Sequence, residues 1–162
     1  VTSISQLAQQ TLAITGLSLL SMPTAIAQSE PTDFSLSRDC AASLSQMISD
    51  IETGRTAEVV ATDYALADWG YSEGYPATAP QAAILRLSGT AAPSVMNSPR
   101  LMNTLSDRLI ADCAAVSLVI FQLDQPFSEV MYGRVGDRVV PFSCAESADS
   151  TYPSWGERVC WQ

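Results

Sequence analysis

A short segment of the chain gathers acidic and aromatic side chains of types that could act on a sugar. The segment TDYALADWGYSEGYP spans residues 62–76. Its candidate ligand-binding residues are Asp63, Asp68, Trp69, Tyr71, Glu73 and Tyr75. Exposed aromatic rings can stack on sugar rings, and a pair of carboxylates can hydrolyse a glycosidic bond. The segment therefore suggests carbohydrate binding or catalysis on a carbohydrate.

Two other interpretations of residues 62–76 stay open. Closely spaced acids can hold calcium, but the spacing lacks the D-x-D-x-D-G order of a calcium loop, so we predict no metal site. The segment also fits a long surface loop whose aromatic side chains cover one side of the core. In that case the rings would stabilise the fold and would not meet a ligand.

The side chains that most enzymes use for nucleophilic and acid–base catalysis are missing from this sequence. All eight basic residues are Arg, and there is neither Lys nor His. The chain therefore cannot build a Ser-His-Asp or Cys-His arrangement, an imidazole metal site or a lysine Schiff base. It also has no GxGxxG, P-loop or GxSxG motif. We predict no catalytic residue and no cofactor, and we expect a binding or interaction module. A small carbohydrate-binding or carbohydrate-active domain is the alternative.

Four cysteines, an even number, are typical of an exported chain with two disulfides. A zinc site is disfavoured, because there is no CxxC pair and no His. Four cysteines allow three connectivities. Cys40 and Cys113 both fall on the apolar faces of predicted helices, and Cys144 and Cys160 close a short loop. We therefore predict the pairs Cys40–Cys113 and Cys144–Cys160, the second of which would anchor a tail rich in Trp.

The first residues of the sequence have the pattern of an export signal. TLAITGLSLLSMPTAIA, residues 11–27, has no charge and ends in the small-x-small pattern that signal peptidase cleaves. We predict a signal peptide over 1–27, a mature protein beginning at Gln28, a flexible lead-in over 28–36 and one domain over 37–162. An uncleaved anchor is the alternative, because no basic residue precedes the apolar run. The expected location is the periplasm or the cell exterior.

The charge of the chain limits its partners. The formal net charge is −9, and the isoelectric point is about 4.2. Phosphate backbones and anionic lipid surfaces would be repelled. We therefore expect no nucleic-acid partner, no membrane partner after signal cleavage, and an unidentified partner in the envelope or outside the cell.

Hydrophobic periodicity predicts two helices and three strands before the C-terminal hairpin. SRDCAASLSQMISDIETG carries an apolar stripe at helical spacing, with Gly54 placed to follow the helix end. SPRLMNTLSDRLIADC carries a second stripe, with Ser98 as the predicted N-cap and Pro99 at the first helical position. The predicted strands are residues 57–66, 82–89 and 115–123. The last is nearly all apolar and should lie in the sheet centre, buried on both faces.

A hairpin is predicted around Gly136-Asp137, which join SEVMYGRV to RVVPFSC. Its register places Val135 opposite Arg138 and Pro141 opposite Tyr132. Pro141 cannot donate a backbone hydrogen bond, so its strand should form a sheet edge. The same alternation places Cys144 on the core face. The fold class is therefore α+β: a four- or five-stranded, mostly antiparallel sheet with two helices on one face and two disulfides.

The second half of the chain resembles a group of small exported cyanobacterial proteins. The resemblance rests on SPRLMNTLSDRLIADCAAVSLVIF, YGRVGDRVVPFSC and WGERVC, and so covers roughly residues 98–160. Their shared order is a Ser-Pro helix ending near a Cys, a Tyr-Gly hairpin leading to Phe-x-Cys, and a final Trp-Gly-x-x-x-Cys or a close variant. The leader ending in AIAQ is similar to export signals of the same group. The resemblance implies export and the pairing of the last two cysteines, and it implies no activity.

Overall fold

The part of the chain that the structure describes folds into three helices and seven strands. The computed structural model describes residues 38–68, 71, 74–124, 128–145 and 153–160, which form one compact unit. The elements are, in chain order, α1 (Arg38–Glu52), β1 (Glu58–Ala65), β2 (Gln81–Ser88), α2 (Ala92–Met96), α3 (Pro99–Asp112), β3 (Val116–Leu123), β4 (Glu129–Val135), β5 (Arg138–Pro141), β6 (Ser143–Cys144) and β7 (Glu157–Arg158). Predictions made for residues 1–37, for Trp69, Glu73 and for Trp161 lie outside these residues.

A five-stranded sheet with the order β1-β2-β3-β4-β5 forms the centre of the fold. β2 and β3 are parallel, and the other three pairs are antiparallel. The parallel pair arises because the chain crosses over through α2 and α3 between these two strands, as parallel neighbours require. This architecture confirms the predicted α+β class and the mostly antiparallel sheet.

One face of the sheet carries the helices and the larger part of the core. The apolar stripes of α1 and α3 meet buried sheet residues such as Leu85, Val119 and Phe121. Cys40 at the start of α1 and Cys113 just after α3 are joined in the predicted disulfide, and both are buried. At the surface, Arg108 of α3 donates a hydrogen bond to Asp50 of α1 at 2.9 Å. Hydrogen bonds from Gln46 and then Arg108 hold the pKa of Asp50 below its ordinary value.

The opposite face of the sheet has a smaller core, which none of the helices in the described residues covers. Its residues come from the sheet, from the loop after β1 and from the C-terminal segment: Leu66, Tyr71, Ala82, Ile84, Leu118, Ile120, Met131 and Phe142, with Tyr75 and Trp155 packed against them. Trp155 therefore anchors the C-terminal tail, because its side chain closes this second core.

The hairpin register is confirmed, with Val135 opposite Arg138 and Tyr132 opposite Pro141. The strand β5 lies at the sheet edge, as the proline predicts. The prediction for Cys144 is wrong, because its side chain is exposed. After Phe142 the chain leaves β5, and Ser143 and Cys144 pair with the C-terminal strand β7 in a separate two-stranded sheet. The predicted Cys144–Cys160 disulfide is nevertheless present.

The ends of the helices match the sequence pattern in part. Gly54 follows α1 with a φ of 71°, a left-handed conformation that glycine adopts without strain. Pro99 is the first residue of α3, as predicted. Ser98 is the N-cap residue of α3, as predicted, but its hydroxyl makes no capping hydrogen bond and instead donates to the Ser94 carbonyl of α2 at 2.8 Å.

Two disulfides indicate an oxidising environment outside the cytoplasm. None of the helices in the described part of the chain has the length and apolar character needed to cross a bilayer.

Candidate functional site

The structure divides the predicted ligand-binding segment between an edge strand and the second core. Asp63 belongs to β1, opposite Ala83 of β2, and its side chain is partly buried. Asp68 is exposed in the turn that follows β1, where its N–H donates to the Ala65 carbonyl at 3.0 Å. Among the described residues, no three Asp, Glu, Cys or His side chains are grouped closely enough to hold a metal ion.

Tyr71 lies in the second core, where it is only 2% exposed. Its hydroxyl donates to the Glu157 carbonyl at 2.5 Å, which links the loop after β1 to β7. Its ring contacts Trp155 edge-on, with 5.2 Å between centroids. Burial raises the pKa of the Tyr71 hydroxyl well above its ordinary value, and the nearby Glu129 carboxylate adds to this effect. The buried ring is therefore a structural support and not an accessible stacking surface.

The remaining aromatic side chains of this face pack against Trp155. Its ring centroid lies 5.0 Å from that of Phe142 and 6.2 Å from that of the partly buried Tyr75. Its Nε1 donates to the Arg134 carbonyl at 2.8 Å, so the polar end of the indole is satisfied. The structure thus brings the predicted site residues Tyr71 and Tyr75 together, but they pack around Trp155 of the C-terminal segment.

The edge strand β1 offers an accessible part of the segment. It is eight residues long and ends the sheet, and among the described residues none pairs with its outer side. The Val59 N–H donates to Glu52 Oε1 at 2.8 Å, so it points away from β2. Hydrogen bonding to the neighbour alternates along an antiparallel strand. The N–H and C=O groups of Ala61 and Asp63 therefore point outward as well, and so does the N–H of Ala65, whose carbonyl accepts from Asp68.

The two faces of β1 have different chemistry. Val60 and Tyr64 lie on the face opposite the helices and are 56% and 46% exposed, the highest values among the large apolar side chains described. Asp63 lies on the helix face with Val59 and Ala61, because side chains alternate along a strand. The outer side of β1 therefore presents backbone groups that no described residue pairs with, between a face that exposes Val60 and Tyr64 and a face that carries Asp63.

The sequence alone did not indicate the outer edge of β1 as a candidate binding site. The periodicity of EVVATDYA predicts a strand, but it does not show which strand ends the sheet. A usable signal was the polar and charged content of β1 compared with the nearly continuous apolar run of β3. Strand order depends on long-range pairing, so only the structure shows that β1 has no outer neighbour among the described residues.

Comparisons of the chain with protein-family models, with curated proteins and with solved structures found no match.

Proposed function

We propose that this protein is an exported, non-enzymatic interaction module of the periplasm or the cell exterior, which binds an extended segment of a partner protein along β1. The observation that carries the proposal is the outer side of this eight-residue edge strand, with which none of the described residues pairs. Peptides that add a strand to an exposed sheet edge gain main-chain hydrogen bonds, and the side-chain pattern supplies specificity.

The two edges of the sheet differ in how they are protected. β5 has four residues and ends at Pro141, which has no N–H to offer a neighbour. Short strands and edge prolines are common protections against unwanted pairing. β1 is twice as long and contains no proline, and one of its outward N–H groups, that of Val59, is satisfied by Glu52. An edge left open in this way suits a partner strand.

The chemistry of β1 defines the partner. A strand added beside β1 would place apolar side chains next to Val60 and Tyr64, since cross-strand apolar pairs are favourable. On the other face it would place a side chain next to Asp63, where a basic residue is favoured. The net charge of −9 also favours a basic segment. The partner segment is therefore extended, with apolar residues alternating with Lys or Arg.

The compartment and the absence of catalysis in this proposal rest on separate observations. The two disulfides support a location outside the cytoplasm, and the leader pattern supports export. The sequence has no His and no Lys, which removes the commonest general bases and nucleophilic amines. These observations fit a protein that binds and does not transform its partner.

A peptide in which valine and lysine alternate tests the proposal. Fluorescence anisotropy should show saturable binding to the oxidised protein, and a peptide of the same composition in scrambled order should bind more weakly. Ala61→Pro removes one outward N–H and should weaken binding about tenfold, because a lost hydrogen bond and steric exclusion of the added strand act together. Val139→Pro at the β5 edge is the matched control and should leave binding unchanged.

A charge reversal keeps the test independent of any folding defect in the proline variant. Asp63→Lys should weaken binding of the valine–lysine peptide roughly fivefold and improve binding of a valine–glutamate peptide by a similar factor. A lack of sequence-order preference, or equal binding by the Ala61→Pro and Val139→Pro variants, would contradict strand addition at β1. A wild-type dimer that Ala61→Pro dissociates would instead assign the edge to a second copy of the chain.

Carbohydrate binding by residues 62–76 is a second candidate, supported by one observation. Tyr64 is 46% exposed on β1, and Asp68 is exposed in the turn that follows, so an aromatic ring and a carboxylate of this segment are both accessible. Retention of the protein on immobilised cell-wall glycan, lost in both Tyr64→Ala and Trp69→Ala with an unchanged melting temperature, would support this alternative. Equal retention of wild type and variants would exclude it.

A further inference from the structure

A cavity of about 580 Å³ opens beside the C-terminal disulfide, away from the residues that the proposed function uses. Its wall combines the end of α2, the start of β4 and the last described residues of the chain: Met96, Asn97, Ser128, Glu129, Val130, Cys144, Arg158, Val159 and Cys160. The volume is within the range of small-molecule sites in proteins, about 300–1,000 Å³.

Arg158 gives this cavity a positive charge. It lines the wall and forms no ion pair with any residue that the structure describes. Trp155 in the second core and Cys160 in the disulfide flank Arg158 in the sequence, so its backbone is held at the wall.

Glu129 supplies the opposite charge in the same cavity. Its Oε2 accepts a hydrogen bond from Gln122 Nε2 at 3.1 Å, and the carboxylate does not form an ion pair with Arg158. Both groups act on the buried Tyr71: the Glu129 carboxylate raises the pKa of its hydroxyl and the Arg158 guanidinium lowers it. The two charges line the same cavity and do not pair with each other.

We propose that this cavity binds a free amino acid with an apolar side chain. The ligand carboxylate would accept from Arg158, and its ammonium group would donate to Glu129. The apolar side chain would contact Met96, Val130 and Val159, which line the same wall. A zwitterion fits better than a simple anion because the protein carries a net charge of −9 and repels anions. This site is separate from the β1 edge, and neither proposal requires the other.

Titration of the oxidised protein with L-leucine, followed by calorimetry and by NMR, tests the inference. Leucine should bind, with NMR shifts confined to residues of the cavity wall. N-acetyl-L-leucine lacks the ammonium group and L-leucinamide lacks the carboxylate, so each should bind at least tenfold more weakly. The oxidised protein is used because Cys144 and Cys160 form part of the wall.

Two variants and a matched control test the roles of Arg158 and Glu129 in leucine binding. Arg158→Gln should weaken leucine binding at least tenfold, and Glu129→Gln should do the same while leaving N-acetyl-L-leucine binding unchanged. Arg138→Gln, on β5 and outside the cavity wall, should leave leucine binding as in the wild type. No leucine binding, or leucine binding that both variants retain, would overturn the proposal. Equal affinity for leucine and N-acetyl-L-leucine would overturn the role of Glu129.

Discussion

The Tyr71 side chain holds the loop after β1 against the C-terminal segment. Its hydroxyl donates to the Glu157 carbonyl, and its ring contacts Phe142 and Trp155. A residue that the sequence places among possible ligand-binding aromatics is thus a central contact of the second core. Its protonation state is consequently coupled to folding.

Raising the pH should destabilise the fold through Tyr71. Its pKa in the folded protein is raised above the unfolded value of about 10, so the stability it contributes is complete below pH 10 and is lost as the pH rises above it. Burial also raises the pKa of Tyr132, which adds to the loss. Tyr71→Phe should show a smaller fall in unfolding free energy between pH 9 and pH 11 than the wild type, as measured by urea denaturation. A fall of equal size in the variant would show that Tyr71 does not carry the effect.

Gly133 of β4 leaves room for the Phe142 ring. A Cβ at this position would overlap the Phe142 ring and would lie 3.2 Å from Leu118 Cδ1. Gly133→Ala should therefore destabilise the protein by about 1–3 kcal/mol and alter the near-UV circular dichroism of the aromatic cluster. Gly136→Ala is the control, because its left-handed φ of 59° is strained by a side chain but no atom lies within 4 Å. The control should leave the aromatic signal unchanged, and an unchanged signal in Gly133→Ala would contradict the overlap.

At the level of elements, the sequence predicted those helices, strands and turns that depend on a local pattern of residues. The stripes of α1 and α3, the apolar run of β3 and the hairpin turn each contain their own signal, and the structure confirms all four. The five-residue α2 was not predicted, because it is too short to show helical periodicity. The pairing of β6 with β7 was missed because two-residue strands brought together from different parts of the chain leave no local pattern.

The candidate site was predicted less well than the fold, for a related reason. Side-chain types drew attention to Asp63 and Asp68, but whether a strand edge is open depends on the neighbours that the whole fold supplies. Cys144 was placed wrongly because the strand alternation was extended past Phe142, where the chain turns to meet β7. Arg158 was not singled out, because its position beside Glu129 comes from tertiary structure alone.

The two disulfides should contribute unequally to stability. The cysteines of the Cys40–Cys113 pair are 73 residues apart, and those of the Cys144–Cys160 pair are 16 apart. In the chain-entropy model these loops stabilise by about 4–5 and about 3 kcal/mol. The first pair is also buried between α1 and α3. Replacing Cys40 and Cys113 by Ala should therefore lower the melting temperature more than replacing Cys144 and Cys160. The opposite order in calorimetry would show that anchoring the tail matters more than joining the helices.

At the scale of the whole molecule, the acidic net charge and the two disulfides fit the same kind of protein. The protein combines a net charge of −9 with two disulfides, a composition suited to an acidic domain outside the cytoplasm. A strand partner rich in Lys or Arg would meet long-range attraction as well as local pairing. Its association rate should therefore fall as salt increases.

Export predicts a defined mature terminus. Cleavage after the AIA pattern should leave Gln28 as the first residue. Intact mass measurement of the protein recovered from the periplasm or medium checks this, with a blocked cleavage site (Ala27→Asp) as the control that should retain the leader. Recovery of the wild-type chain in the membrane with residues 1–27 still attached would favour an uncleaved anchor.

Amide hydrogen exchange tests strand addition at β1 most directly. On binding the valine–lysine peptide, the outward amides of Ala61 and Asp63 should exchange at least tenfold more slowly, because they gain hydrogen bonds. The Val59 amide, already bonded to Glu52, should change little and provides an internal reference. Protection at Val139 of β5 in place of β1, or no change at Ala61 and Asp63 under saturating peptide, would contradict the account.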